Sequence, residues 1–128
     1  MRLYPEDVDV RTLSPITLAF VGDGVYELMV REHLAAKANR PTGVLHKMAV
    51  SMVCAEAQRK AFDRIRPLLS EQELAVFKRG RNAKTARTGD DYHTATGLEA
   101  LIGYLYLSDR TERLQELFSV LLQEDERV

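Results

Sequence analysis

Two acids stand in apolar segments where an unpaired carboxylate is costly, so each has to be paired, protonated or bound to a cation. Asp23 lies in Ile16-Thr17-Leu18-Ala19-Phe20-Val21-Gly22-Asp23-Gly24-Val25-Tyr26, between two glycines that each cost a helix about 1 kcal/mol against alanine. Glycines beside an acid let another backbone or a ligand come close, and a carboxylate on an apolar helix has to be paired, protonated or bound to a cation. An acid that accepts hydrogen bonds from a neighbouring helix end explains Asp23 equally well. Glu99 raises the same question in Gly97-Leu98-Glu99-Ala100-Leu101-Ile102-Gly103-Tyr104-Leu105, where Gly103 leaves space one turn further along. Here the local alternative is stronger, because Thr96-Gly97-Leu98-Glu99 has the form of a capping box, which would make Glu99 a structural acid at a helix start.

A second chemistry-bearing feature is cationic. From Lys78 to Arg87 there are five cations (Lys78, Arg79, Arg81, Lys84 and Arg87) and no acid, whereas from Thr88 to Val128 nine acids face three cations. A local basic stretch on a protein of net charge −1 suggests a polyanion contacted at one place; a solvated loop is the plainer explanation. His33, His46 and His93 have no partners spaced for a triad and read as surface or capping residues, with His93 kept as a residue at the edge of a substrate site. Cys54 is the one cysteine, which excludes an internal disulfide and a cysteine-based zinc site.

The elements that carry these residues are helical nearly throughout. Ser14-Pro15, an N-cap with proline at the first helical position, opens a segment running to about Lys37. Asn39-Arg40-Pro41-Thr42 breaks it. A second long helix is predicted from Thr42 until Pro67 stops it, with Leu45, Met48, Ala49, Met52, Val53, Ala61, Phe62 and Ile65 recurring at spacings of three and four. Its run of Val50, Met52, Val53 and Cys54 suggests a helix buried on several sides. Ser70-Glu71-Gln72-Glu73 is a capping box for a third helix, which Gly80 can end as a left-handed C-cap. The stretch Arg81 to Tyr92 is predicted to be a loop. Leu98, Leu101, Ile102 and Leu105 then mark one helix, and Leu114, Leu117, Phe118 and Leu121 mark the last. No run shows strand alternation bounded by hairpin turns, and no internal repeat is visible. The expected fold class is all-α, in one domain spanning residues 1–128.

Composition agrees with that. At 128 residues, 45% hydrophobic and 29% charged, the chain suits one soluble core and excludes disorder. No apolar run approaches the roughly 20 residues that span a bilayer. Glu6, Asp7 and Asp9 stand where a targeting peptide would carry basic residues, so a cytoplasmic protein without membrane contact is expected.

Read together, the pieces resemble a known family. Leu18-Ala19-Phe20-Val21-Gly22-Asp23-Gly24 resembles the signature helix of the ribonuclease III domain, and Leu98-Glu99-Ala100-Leu101-Ile102-Gly103 resembles its second acidic helix, in the same order. Lys78-Arg79-Gly80-Arg81-Asn82-Ala83-Lys84, Leu45-His46-Lys47 and the lack of an appended double-stranded-RNA-binding domain narrow the resemblance to the mini-ribonuclease III group. The pattern departs at Ala19 and Thr96, where full-length ribonuclease III domains carry acids, and near Thr42, where a third acid is expected.

The resemblance implies hydrolysis of phosphodiesters in double-stranded RNA, in maturation of the large-subunit (23S) ribosomal RNA precursor, by an endoribonuclease acting as a homodimer, with a ribosomal protein as a further partner. Asp23 and Glu99 would be the catalytic, metal-binding acids for Mg²⁺, with Mn²⁺ as a substitute and Glu27 joining through a water. Magnesium keeps several waters and takes only one or two carboxylates, which accommodates the reduced acidic set. Lys78, Arg79, Arg81, Asn82, Lys84 and Arg87 would bind RNA. The competing reading is a non-catalytic RNA-binding or ribosome-associated module on the same fold. A helical protein-interaction module is a third, which leaves the cationic run unused.

Overall fold

The structure is a computed structural model that describes residues 2–123. After a 3-10 turn at Val10–Thr12, six helices follow: α1 Pro15–Lys37, α2 Thr42–Val53, α3 Ala55–Ile65, α4 Glu71–Arg81, α5 Asp90–Leu107 and α6 Thr111–Leu121. Among the described residues there is no strand, in agreement with the expected all-α class. No helix there is long and apolar enough to cross a membrane.

α5 is the central helix. Its Ala95, Gly97, Leu98, Ala100, Leu101, Ile102, Gly103 and Leu105 are all buried, and α1, α3, α4 and α6 pack around it. The main core joins Tyr26, Val30 and Leu34 of α1 to Phe62 and Ile65 of α3, Phe77 of α4, Leu98 to Leu105 of α5, and Leu114 to Leu121 of α6. Phe62 stacks on Phe77 with ring centres 3.8 Å apart, and Tyr26 tilts against Phe118 at 5.3 Å.

Two glycine contacts set how closely the helices approach α5. At the α1–α5 crossing, a Cβ on Gly22 would fall on the Glu99 carbonyl oxygen, and one on Gly103 would fall on the Leu18 carbonyl oxygen. At the α4–α5 crossing, a Cβ on Gly80 would lie 2.6 Å from the Ala100 Cβ. Gly80 therefore serves close packing. It is not the left-handed cap predicted for it: α4 continues to Arg81 and ends on Asn82 in right-handed backbone. Gly24, by contrast, has open space beside it and admits no neighbouring backbone.

Three further expectations are corrected. The predicted helix from Thr42 to Pro67 is two helices, because Cys54 takes an extended conformation (φ −66°, ψ 157°) that ends α2 and caps α3. Within the single chain α2 is not buried on several sides, since Ala49 is its one buried residue and Val50 is 50% exposed. The loop after α4 ends earlier than expected, at Gly89, whose φ of +109° suits glycine, and α5 starts at Asp90. The Ser70–Glu73 capping box is present as predicted. Glu73 also receives Arg113 Nε and Nη2, each at 2.8 Å, and Arg113 Nη2 donates to the Leu68 carbonyl at 2.8 Å, tying α4 to α6. α5 ends in a paired-bond turn in which Arg110 N–H donates to the Leu105 carbonyl and Asp109 N–H to the Tyr106 carbonyl. Asp109 is left-handed there, with φ 57°.

Candidate active site

The α1–α5 crossing places the two predicted acids together. Gly22 lets the α1 backbone lie against the α5 backbone at Glu99, so the next side chain along α1, Asp23, comes close enough to the Glu99 carboxyl to raise it. Asp23 is exposed and Glu99 half-buried, which makes one side of the pair open to solvent and the other anchored in the fold. Because α5 begins at Asp90, Glu99 sits mid-helix and the capping-box explanation fails. Thr96, its supposed cap, instead donates its hydroxyl to the Tyr92 carbonyl one turn back, at 2.9 Å.

Burial pushes the Glu99 carboxyl up to about 8, and the Asp23 carboxyl adds to the rise through its hydrogen bond and its charge. The Gln58 amide and the Arg87 charge pull in the opposite direction. Burial and a second carboxyl both favour the neutral form of an acid. Tyr26, one turn beyond Gly22 and 1% exposed, closes the inner side. Burial pushes its hydroxyl up to about 12, with the Arg64 charge opposing and the Glu99 charge adding to the rise.

Ala19 is buried with Leu18, Val76 and Ala100, and Thr96 is satisfied by its own helix, so neither position at which the resemblance would place an acid has one. Among the described residues no three of His, Cys, Asp and Glu gather as a metal-binding group. Glu27 is directed to Arg31, 3.8 Å from its Nη2, in the ion pair expected of acids and bases four residues apart on a helix. The donors present suit a hard divalent cation that brings most of its own shell: two carboxylates and no soft ligand.

The cations predicted to bind polyanions divide between two elements. Lys78, Arg79 and Arg81 are exposed on the last turn of α4, and Asn82 caps it. Lys84 and Arg87 are exposed in the following connection. Among the described residues none of the five cations forms an ion pair. Arg87 stands 5.3 Å above the Tyr92 ring, and its charge reaches Glu99, so the cationic stretch and the acidic pair adjoin at this residue. Of the histidines, His46 is exposed on α2 and His93 half-buried near the start of α5. His33 lines an apolar groove of about 840 Å³ with Val21, Gly24, Val25, Leu28 and Phe118; neither acid borders that groove.

Sequence reasoning missed Gln58. It is 2% exposed in α3, and its polarity at an otherwise apolar helical position was the available signal. The Arg59–Asp91 ion pair, 2.6 Å long between α3 and the start of α5, was hidden by the misplaced helix boundary.

Residues 16–110 match the Ribonuclease III domain family. Similar proteins include the Mini-ribonuclease 3 of a Thermoanaerobacter species, 44% identical over 119 residues that cover 89% of this chain and 84% of that one. The Mini-ribonuclease 3 of Brevibacillus brevis is 47% identical over 114 residues, covering 85% of each chain. A crystal structure of a Fusobacterium nucleatum protein superposes with a TM-score of 0.79 at 31% identity, covering 89% of this chain and 95% of the other.

Proposed function

The chain belongs to the ribonuclease III family, in its Mini-ribonuclease 3 group, and on that premise we propose that this endoribonuclease hydrolyses phosphodiesters in double-stranded RNA with a divalent cation held by Asp23 and Glu99. The observation that carries the reading is the placement of those two carboxyls side by side at the Gly22–Gly103 crossing, one exposed and one half-buried. Bound there, Mg²⁺, or Mn²⁺ in its place, would supply Lewis acidity and a water of lowered pKa for attack at phosphorus.

The chain's own residues do the rest. Glu99 loses its proton to solvent as the cation is taken up, leaving two anionic carboxylates to hold it. Asp23, on the solvent side, meets the substrate phosphate; Glu99, fixed in α5, holds its place. Glu27 joins through a water, if it leaves Arg31. Lys78, Arg79, Arg81, Asn82, Lys84 and Arg87 bind backbone phosphates, and Arg87 leads them toward the acids. Contacts to phosphates alone carry no sequence information, so recognition rests on duplex shape and 2′-hydroxyls.

Residues 1–128 act as one catalytic domain and pair with a second copy. Support for the pairing comes from α1, where Ile16, Phe20 and Leu28, at intervals of four and eight, are 41%, 81% and 50% exposed with Gly24 between them. Phe20 is far more exposed than a large aromatic side chain on a lone globule. The natural substrate assigned by this reading is the 23S ribosomal RNA precursor, with a ribosomal protein as partner and the cytoplasm as location; family membership supports it.

The test incubates the purified protein with double-stranded and single-stranded RNA of one sequence, with Mg²⁺, Mn²⁺ or EDTA. Cation-dependent cutting of the duplex alone is expected. Cutting that persists in EDTA would end the cation reading, and equal cutting of single strands would end the duplex one. Sequencing of 23S ends in cells lacking the protein tests the natural substrate: unchanged ends would remove it.

A further inference from the structure

Among the described residues, the buried amide nitrogen of Gln58 makes no hydrogen bond. The extended residue Cys54 turns α3 so that Gln58, Ala61, Phe62 and Ile65 are its buried residues, and α3 packs on α5. Gln58 is 2% exposed, yet its Nε2 makes no hydrogen bond of ordinary geometry. Buried amide groups are nearly always bonded, and an orphan of this kind calls for a reason. Its neighbour supplies one. Gln58 lies on the face of α3 packed toward α5, its amide close enough to the Glu99 carboxyl to favour the ionised form, as Asp23 is close enough to favour the neutral one.

We propose that Gln58 is a positioning residue for Glu99: its Nε2–H donates to a Glu99 carboxylate oxygen when the acidic pair takes up a divalent cation, and holds that carboxylate facing Asp23. This rests on the reading of Asp23 and Glu99 as cation ligands. Carboxylates that bind metals are themselves held by outer hydrogen bonds, and loss of such a partner typically weakens metal affinity by 10- to 100-fold.

Gln58→Met keeps the length and helical preference of the side chain and removes the donor. Titration calorimetry with Mn²⁺ alone, on wild type, Gln58→Met and Asp23→Asn, reads the cation site directly, and melting in EDTA reads the fold. The expected result is a Gln58→Met protein that melts in EDTA at or above the wild-type temperature, because an orphaned buried amide is gone, and binds Mn²⁺ about 10- to 100-fold more weakly. With duplex RNA, kcat falls while KM stays near wild type. Unchanged Mn²⁺ affinity with a lowered melting temperature makes Gln58 purely structural and overturns the proposal. Gln58→Leu repeats the measurement, and failure of both variants to fold in EDTA overturns it too. If Asp23→Asn loses Mn²⁺ binding and Gln58→Met does not, only Gln58 is misassigned. If wild type binds no Mn²⁺, or Asp23→Asn binds it equally, the acidic-pair reading falls and takes this one with it.

Discussion

Gly22 and Glu99 are in backbone contact, so close that a methyl group on Gly22 would occupy the Glu99 carbonyl oxygen. A clash with backbone has no rotamer to relieve it, so Gly22→Ala must move α1 off α5. Overpacking of this kind costs about 1 to 3 kcal/mol or more, and it separates the acids as well. Gly24→Ala, one residue beyond Asp23 with open space around it, should gain up to about 1 kcal/mol of helix stability. Urea unfolding of the two variants checks the contrast. If they proved equally stable, the two helices would not be held together in this way.

Asp23→Asn and Glu99→Gln each remove one charge from the pair while preserving shape. Both should fold and both should lose duplex cleavage by at least about 100-fold, the scale seen for loss of one preorganised electrostatic group. Far-ultraviolet circular dichroism and single-turnover cleavage in Mg²⁺ separate folding from chemistry. Near-normal cleavage by Asp23→Asn would dismiss the pair as the reacting centre.

The acidic pair and the Glu73–Arg113 pair should move stability in opposite directions with pH. Folded Glu99 holds its proton to about 8, through burial first and Asp23 second, against an ordinary value of 4.5. Between these limits the folded state binds more protons than the unfolded chain, so cation-free stability falls as pH rises through that window. Arg113 holds Glu73 below 4.5, so its contribution is present above 4.5 and fades as pH falls below it. In EDTA, Glu99→Gln should exceed wild type in stability at pH 8 and match it near pH 4.5. Arg113→Met should cost about 2 to 3 kcal/mol at pH 7, since it strands a buried carboxylate whose partner was partly open to solvent, and less at pH 3.5. A wild-type to Glu99→Gln difference that stays constant from pH 4.5 to 8 would count against the raised Glu99.

Much of this is legible in the sequence alone, and the illegible parts have physical reasons. Asp23 and Glu99 stood out because an apolar helix makes an acid conspicuous, and Ser70–Glu73 read correctly because a capping box is local. The break at Cys54 left no mark: no proline or glycine accompanies it, and the three-and-four spacing continues into α3. That break decides which α3 residues reach α5, so Gln58 could not be placed beside Glu99 from spacing alone. The start of α5 was hidden because Asp90, Asp91 and Tyr92 look like loop residues, while Asp91 is held by Arg59. Glu73 read as a cap alone, since its second partner, Arg113, lies 40 residues away.

The exposed stripe on α1 predicts the oligomeric state. Phe20→Glu puts a charge at the centre of the Ile16, Phe20, Leu28 face without entering the core, so the folded chain should survive while self-association weakens. Sedimentation equilibrium should give a dimer for wild type and a monomer for Phe20→Glu. A monomeric wild type would leave the stripe without a second copy to cover it.

The cationic stretch should control affinity and not chemistry, with one exception. If Lys78, Arg79, Arg81 and Lys84 contact phosphates, neutralising each should weaken duplex binding about equally for unrelated sequences. The slope of log affinity against log salt should then shrink by roughly 0.9 per true contact, the value for duplex DNA. Measured with Ca²⁺ in place of Mg²⁺ to suppress cutting, a combined Arg79, Arg81 and Lys84 alanine variant should therefore lose affinity and salt dependence together. Asp23→Asn should bind at least as well as wild type, because a negative charge facing the phosphates is gone. Arg87 differs, since it stands over Tyr92 and its charge is felt at Glu99. Arg87→Ala should lower affinity and also slow single-turnover cleavage at saturating enzyme, whereas Lys84→Ala should be restored to the wild-type rate by saturation. Unchanged affinity and slope in the triple variant would return this segment to a solvated surface, and full recovery of Arg87→Ala at saturation would confine Arg87 to binding.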